Sequence, residues 1–397
     1  MVAQVSHAGS EINRRLFLRG ALTAGAFLMA ARTGLTPTRA AALDEVRRFA
    51  PVKVSRDRII REVVGLRPYR PEGFVVDAER VGNKLLIHNY GHGGAGITLS
   101  WGTASLALDL ARDFPWARTP RPGRSSRPAA QRRFAVLGCG VNGLSTALLL
   151  QRRFQDGPGT VTVYARDLPP ETTSNIAGGF WYPTSVYDPR AASTRFAEQY
   201  GLACRISNHA FQLLVGPEYG VRWIDTVELY RDEASPGREL PGGNELYPQQ
   251  EVHRDAERYF GFPYARQYST MLIEPPVYLN ALLRDFYTAG GKLVVKEFRD
   301  REEILRLPEP LIFNCTGLGA RALFGDQKLV PVRGQLEVLL PQPEIDYCYL
   351  SSGYMFPRRD GIILGGTWDR DDWSLMPKAK QTTRILEEHA EIMKGLK

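Results

Sequence analysis

The chain has 397 residues, 43% of them hydrophobic and 24% charged, with a formal net charge of +8. These are the proportions of a soluble globular protein, long enough for two ordinary domains or one large two-lobed enzyme. The charge does not point to nucleic acid. Residues 1–42 hold five Arg and one Glu, residues 114–133 hold six Arg and no acid, and the remainder carries a net −2, so the excess sits in a leader and a tether rather than on a folded face.

The chain opens on paired arginines, Arg14 and Arg15, followed by Leu16, Phe17 and Leu18 and a weakly apolar stretch over residues 20–31. Ala40, Ala41 and Ala42 offer a cleavage site. Residues 1–42 resemble a twin-arginine export signal, which implies a periplasmic or extracellular protein; a cytoplasmic protein with a basic N-terminus is the alternative. The stretch is too short and too rich in Gly and Ala for a transmembrane helix.

Residues 63–71, VVGLRPYRP, carry Arg67 and Arg70, with Arg61 just upstream. Their spacing singles out none of the three. Residues 86–102, LIHNYGHGGAGITLSWG, form a glycine-rich turn that brings backbone up to a ligand before a helix closes the segment. Residues 113–133 are rich in Pro, Arg and Ser, lack hydrophobic periodicity, and read as an exposed linker.

Residues 134–137 then form a short apolar strand, and Gly138, Gly140 and Gly143 make G-x-G-x-x-G ahead of a helix over residues 144–150. The first glycine permits the tight turn, the second lets backbone approach a pyrophosphate, and the third lets helix and strand pack closely. The diphosphate charge then rests on the helix N-terminus. A second strand, residues 160–164, ends at Arg166 and Asp167, where an acid meets a ribose hydroxyl in such folds. Thr172, Thr173 and Ser174 offer hydroxyls for phosphate, Ala177, Gly178 and Gly179 offer bare backbone for a planar ring, and Trp181 is placed to wall the site. A surface Asn/Ser/Thr turn is the other reading of this stretch. Cys139, Cys204, Cys315 and Cys348 lie at no CxxC spacing and have no His companion, which favours buried thiols and no metal.

The blocks GCGVNGLSTALLL and ARDLPPETTSNIAGGFWYP resemble the D-amino-acid oxidase family of FAD-dependent flavoenzymes. Residues 290–298, 313–321, 330–339 and 353–367 match later blocks of that family, and the likeness is thin across residues 188–268. The resemblance implies an α/β, two-lobed flavoprotein. A Rossmann-like FAD lobe draws on residues 134–184, 292–298, 311–319 and 56–111; a substrate lobe with a mixed sheet draws on about 187–271 and 330–367.

The resemblance also assigns roles. Gly138, Cys139, Gly140, Val141, Asn142 and Gly143 hold the FAD diphosphate, with Arg166, Asp167 and Phe298 toward the adenosine end. Thr172, Thr173, Ser174, Ala177, Gly178 and Phe180 flank the cofactor on one side, and Gly93, Gly94, Gly96 and Thr98 on the other. Arg67 clamps the substrate carboxylate, Tyr354 hydrogen-bonds it, and the Gly94 carbonyl receives the amine. His92 is expected to be structural rather than a general base. Where many members carry a second tyrosine, four residues before Tyr354, this chain has Leu350, with Tyr347 and Tyr349 as substitutes on the same loop.

The implied activity is oxidative deamination of D-amino acids, with hydride transfer to flavin N5 and oxygen reduced to H2O2. A related amine oxidase or dehydrogenase (acting on glycine, N-methyl amino acids or D-aspartate) and a flavin-binding protein without turnover are the alternatives. The partners are a small-molecule substrate and O2, with no nucleic acid and no membrane span; the oligomeric state stays open, a homodimer included. In the family the arginine motif and H-N-Y-G-H-G-G close the chain, whereas here they come first and residues 381–397 end it on a helix. The order reads as a circular permutation: leader 1–42, permuted segment 43–112, linker 113–133, and a main body over 134–397.

Overall fold

A computed structural model describes residues 49–112, 132–154, 159–257 and 261–396. The leader and most of the linker lie outside them. The strands are β1 (Ile59–Tyr69), β2 (Val75–Val81), β3 (Lys84–Tyr90), β4 (Arg132–Leu137), β5 (Gly159–Ala165), β6 (Val221–Tyr230), β7 (Glu251–His253), β8 (Tyr264–Ile273), β9 (Lys292–Val295), β10 (Leu311–Asn314), β11 (Val330–Leu339), β12 (Tyr347–Leu350), β13 (Tyr354–Arg358), β14 (Gly361–Gly365) and β15 (Asp369–Arg370). The helices are α1 (Gly96–Asp109), α2 (Val141–Arg153), α3 (Thr194–Leu213), α4 (Pro275–Thr288), α5 (Arg301–Leu305), α6 (Gly319–Leu323) and α7 (Ala379–Lys394). None among the described residues is long and apolar enough to cross a membrane.

Two sheets organise these elements. The smaller runs β2-β3-β10-β4-β5-β9, parallel from β3 through β9. Its centre is apolar on both faces: Phe134, Ala135, Val136 and Leu137 are all fully buried, as a parallel strand covered by helices requires. The order of connections reverses at β4, which joins β5 on one side and has β10 on the other, so a crevice opens at the carboxyl end of β4. Helix α1 is buried nearly all round. Gly102 lets it lie against α3, where an added Cβ would fall 2.1 Å from the Ala203 carbonyl oxygen.

The larger sheet runs β1-β11-β14-β13-β12-β6-β8-β7, with β15 beside β11. It is mixed: β12 and β6 are parallel and the other pairs antiparallel. Alternate residues face opposite ways. Leu336, Cys348, Phe356 and Ile363 join the core shared with the smaller sheet. Tyr347, Tyr349, Met355, Ile362 and Leu364 face the other way, onto Val52 and onto Ile385, Ile392 and Met393 of α7. Each such large apolar side chain contributes about 1.5–3 kcal/mol on burial.

The two-lobed α/β architecture follows the sequence reading, with one boundary moved. Strand β1, with Arg67, pairs with β11 from Ile59↔Leu339 to Tyr69↔Val330 and belongs to the larger sheet; only β2, β3 and α1 of residues 56–111 join the dinucleotide lobe. The first and last described segments touch. The Val52 N–H donates to Met393 Sδ at 3.2 Å, and the Tyr347 hydroxyl to the Ala50 carbonyl at 2.8 Å.

Candidate active site

A cleft of about 1460 Å³ runs between the sheets from Phe298 to Trp373, larger than a typical drug-sized site. At the end of β4 the chain turns through Gly138 at φ +100, and its N–H donates to the Tyr164 carbonyl at 2.7 Å. Gly140 is the N-cap of α2, and the next N–H, of Val141, donates to Ser174 Oγ at 3.1 Å. A hydroxyl thus sits over the helix N-terminus, where an anion is favoured. Gly143 does not line the cleft. An added Cβ there would fall 2.0 Å from the Gly138 carbonyl oxygen, so this glycine serves strand–helix packing. Burial pushes the Cys139 thiol up to about 12, which keeps it protonated.

Arg166 donates to Asp167 Oδ2 at 2.8 Å and to Glu297 at 3.3 Å, at the cleft edge beyond β5. Phe298 lines the same end, against Tyr164 and under Lys296. All three residues at 172–174 line the cleft, and the Thr172 hydroxyl donates to Asn175 Oδ1 at 2.7 Å, which fixes the turn. The Ala177 carbonyl accepts from Arg358 Nη1 at 3.0 Å, which pins the backbone at Ala177–Gly178. Trp181, expected to wall the site, is fully buried in the core; Phe180 and Tyr182 line the cleft instead. Phe180, Phe356 and Tyr354 stack in series at 4.8 Å spacings.

The opposite wall comes from residues 63–96. Arg67 on β1 donates through Nη2 to the Tyr354 hydroxyl at 3.4 Å and through Nη1 to the Thr367 carbonyl at 3.3 Å. Its Cζ lies 5.7 Å from the Trp368 ring. Gly334 on β11 leaves the room: a Cβ there would fall 2.2 Å from Arg67 Nη1. Among the described residues Arg67 has no acidic partner, whereas Arg61 pairs with Asp360 at 2.7 Å and Arg70 with Asp326 at 2.8 Å. The structure therefore separates three arginines that sequence could not. The Gly94 N–H donates to the Ser185 carbonyl at 3.0 Å, and an added Cβ at Gly94 would lie 3.8 Å from Arg67 Cδ. Ser185 itself sits at φ +59, a costly conformation for a serine and one that clusters at functional sites. Gly93, Gly96 and Thr98 line the cleft beside it.

One expectation about tyrosines is corrected. Leu350 ends β12, and only Ser351, Ser352 and Gly353 separate it from Tyr354 on β13. Tyr347 and Tyr349 lie on the strand, not on a loop, and face away from the cleft; the Tyr349 hydroxyl meets His389 Nδ1. They cannot substitute for a cleft tyrosine. Sequence reasoning also missed Tyr182, in the segment after Gly179, and Glu228 and Tyr230 on β6, all of which line the cleft.

His92 is buried, stacked on Phe74, with Nε2 at 3.1 Å from Thr103 Oγ1. Burial pushes it down to about 3, and burial likewise pushes His389 down to about 4. Both stay neutral in the native state. The unfolded chain binds a proton at each below their ordinary 6.5, so stability is complete above that pH and falls as pH drops toward 4. The slope is about 1.4 kcal/mol per pH unit for each histidine. Urea midpoints at about pH 7 and about pH 5 measure it, and His389→Gln is expected to flatten the dependence.

The family described as DAO, FAD dependent oxidoreductase, matches residues 12–110 and 133–397 of this chain. A D-amino acid oxidase of Dugesia ryukyuensis is 28% identical over 275 residues, 66% of this chain and 78% of that protein. A D-amino-acid oxidase of Rubrobacter xylanophilus is 32% identical over 261 residues, covering 64% and 75%. Among solved structures, a glycine oxidase from Bacillus cereus superposes with a TM-score of 0.50 at 16% identity, over 66% of this chain and 78% of that one, a likeness of fold.

Proposed function

This chain belongs to the DAO family of FAD-dependent oxidoreductases, and on that premise we propose that it oxidises D-amino acids at Cα. The imino acid hydrolyses to a keto acid and ammonia, and oxygen is reduced to H2O2. The cleft suits the cofactor: a glycine turn on a helix N-terminus offers N–H groups to a diphosphate, and the backbone at Ala177–Gly178, pinned by Arg358, offers a flat surface to a ring. FAD, when bound, takes the hydride at N5 and hands the electrons to oxygen.

The protein's own residues bind and orient. Arg67 holds the substrate carboxylate with its guanidinium fork, and Tyr354 adds a third donor to the same group. The Gly94 carbonyl accepts from the amine. With carboxylate and amine fixed, only one enantiomer turns its Cα–H toward the cofactor, and the reacting atoms are held in a near-attack geometry. His92, buried and neutral, moves no proton.

The observation that carries this reading is Arg67, half-buried in the cleft wall with a tyrosine hydroxyl beside it and no carboxylate among the described residues to neutralise it. Anaerobic mixing tests it. D-Alanine is expected to bleach the flavin, and L-alanine and sarcosine to leave it yellow. Bleaching by L-alanine, or by no member of a D-amino-acid panel that includes D-alanine and D-lysine, sinks the proposal.

The block order is explained in the same reading as a circular permutation. Its support is spatial: β1 lies beside β11, and residues 50–52 lie against Tyr347 and Met393, so one short connection joins the two segments in the other order. A rearranged chain running 132–396 and then 49–112 is expected to fold, bind flavin and turn over. A colourless, insoluble product would count against the permutation.

A further inference from the structure

One row of side chains crosses four strands of the larger sheet on its cleft face. The register pairs Tyr354 on β13 with Leu350 on β12, Leu350 with Glu228 on β6, and Glu228 with Arg266 on β8. Residues in register on neighbouring strands point to the same side. The row therefore begins at the hydroxyl that touches Arg67, passes over an aliphatic side chain, and ends at a buried ion pair. At about 4.8 Å per strand, Glu228 lies two steps, roughly 10 Å, from Tyr354.

Glu228 and Arg266 are both nearly inaccessible and lie 2.6 Å apart. Such a pair is weak evidence for stability, since apolar residues of the same volume hold strands as well or better. Its placement gives it another use. Glu228 lines the cleft and Arg266 stands behind it. Arg266 spends its donors on the protein: Nε and Nη2 on Glu228 Oε2, Nη2 also on the Tyr230 hydroxyl, and Nη1 on the carbonyls of Pro236 and Arg238. Tyr230 donates to Oε2 as well. Oε1 takes none of these bonds, and from the cleft side the Tyr182 hydroxyl donates to that carboxylate. A carboxylate oxygen has two acceptor positions, so acceptor capacity remains where the row meets the cleft. A negatively charged side chain would find no unspent donor on Arg266 and would face a carboxylate.

We infer that Glu228, set by Arg266 and Tyr230, is a specificity residue for the far end of the substrate: the cleft prefers D-amino acids with a long side chain that is aliphatic along its length and ends in an N–H donor. The methylenes lie over Leu350 and the tip reaches Glu228, the division that lysine-like side chains make between apolar stem and polar head. This rests on the D-amino-acid reading above, and the two fail differently.

The test compares D-lysine, D-norleucine and D-glutamate by kcat/KM on the holoenzyme. D-Lysine and D-norleucine differ at the tip alone, and a hydrogen bond to a charged group makes that difference on the order of ten-fold or more. D-Lysine is expected to lead, D-glutamate to trail, and Glu228→Gln to reduce the lead of D-lysine over D-norleucine several-fold. Equal rates for D-lysine and D-norleucine, or a lead for D-glutamate, overturn the subsite while leaving the oxidase reading intact. Should Glu228→Gln fail to accumulate, the wild-type comparison decides alone. A panel in which no D-amino acid bleaches the flavin removes the oxidase reading itself.

Discussion

Arg67→Ala is expected to keep its flavin and its fold while losing about 10²–10⁴ in kcat/KM for D-alanine. The magnitude follows from two charge-assisted hydrogen bonds to a carboxylate, each contributing about 1.5–3 kcal/mol, at about 1.4 kcal/mol per decade. Stability changes little, because Arg67 neutralises no acid of the described protein and donates only two long bonds, to Tyr354 and Thr367. Arg67→Lys keeps the charge but loses the fork, and is expected to fall between wild type and alanine. Stopped-flow reduction under anaerobic conditions reads the effect, and absorbance at the flavin band relative to protein checks cofactor content. Near-wild-type reduction by Arg67→Ala would mean the carboxylate is held elsewhere.

Gly138→Ala is expected to lose the cofactor and much of the stability together. Gly138 holds φ +100, where a side chain strains the backbone by about 1–3 kcal/mol. The added Cβ would also fall 2.5 Å from the Cys315 carbonyl oxygen and 3.1 Å from its carbon. That neighbour is backbone at the exit of β10, anchored by the Cys315 N–H to the Leu137 carbonyl at 2.9 Å, and it cannot swing aside. The ends of β4 and β10 must separate, and the turn that faces the diphosphate moves with them. The expected loss is about 2–4 kcal/mol in unfolding free energy, with a colourless or weakly coloured product. Thermal melts with and without added FAD separate the two effects: a variant that melts like wild type and stays yellow would show that the turn tolerates a methyl group.

The local parts of this protein were legible in the sequence. An apolar run, three glycines at fixed offsets and a helix are decided within about 20 residues, so β4, the turn and α2 stand where the spacing put them, with the helix running over Val141–Arg153 rather than residues 144–150. The helix after the glycine-rich segment was legible for the same reason. What required long-range pairing was not. Strand β1 went to the wrong lobe because its partner β11 lies some 270 residues away in the chain. Residues 177–184 carry no secondary-structure period, so nothing in them showed that Trp181 turns to the core and Tyr182 to the cleft.

Charge shows the division most clearly. The sequence supplied Arg61, Arg67 and Arg70 as equivalent cations. Only the folded chain gave the outer two their carboxylates, Asp360 and Asp326, from the far side of the sequence, and left the middle one facing the cleft. Glu228 was invisible for a related reason: β6 is buried on both faces, so its acid interrupts no pattern and acquires meaning only when the register sets Leu350 and Arg266 beside it. The sequence by itself determined the short-range turns and helices, because those depend on the dihedral limits and side-chain spacing of neighbouring residues. The tertiary structure decided which charges are paired, which aromatic rings face the cleft and which strand carries the arginine, because those depend on contacts between segments hundreds of residues apart, where no local preference acts.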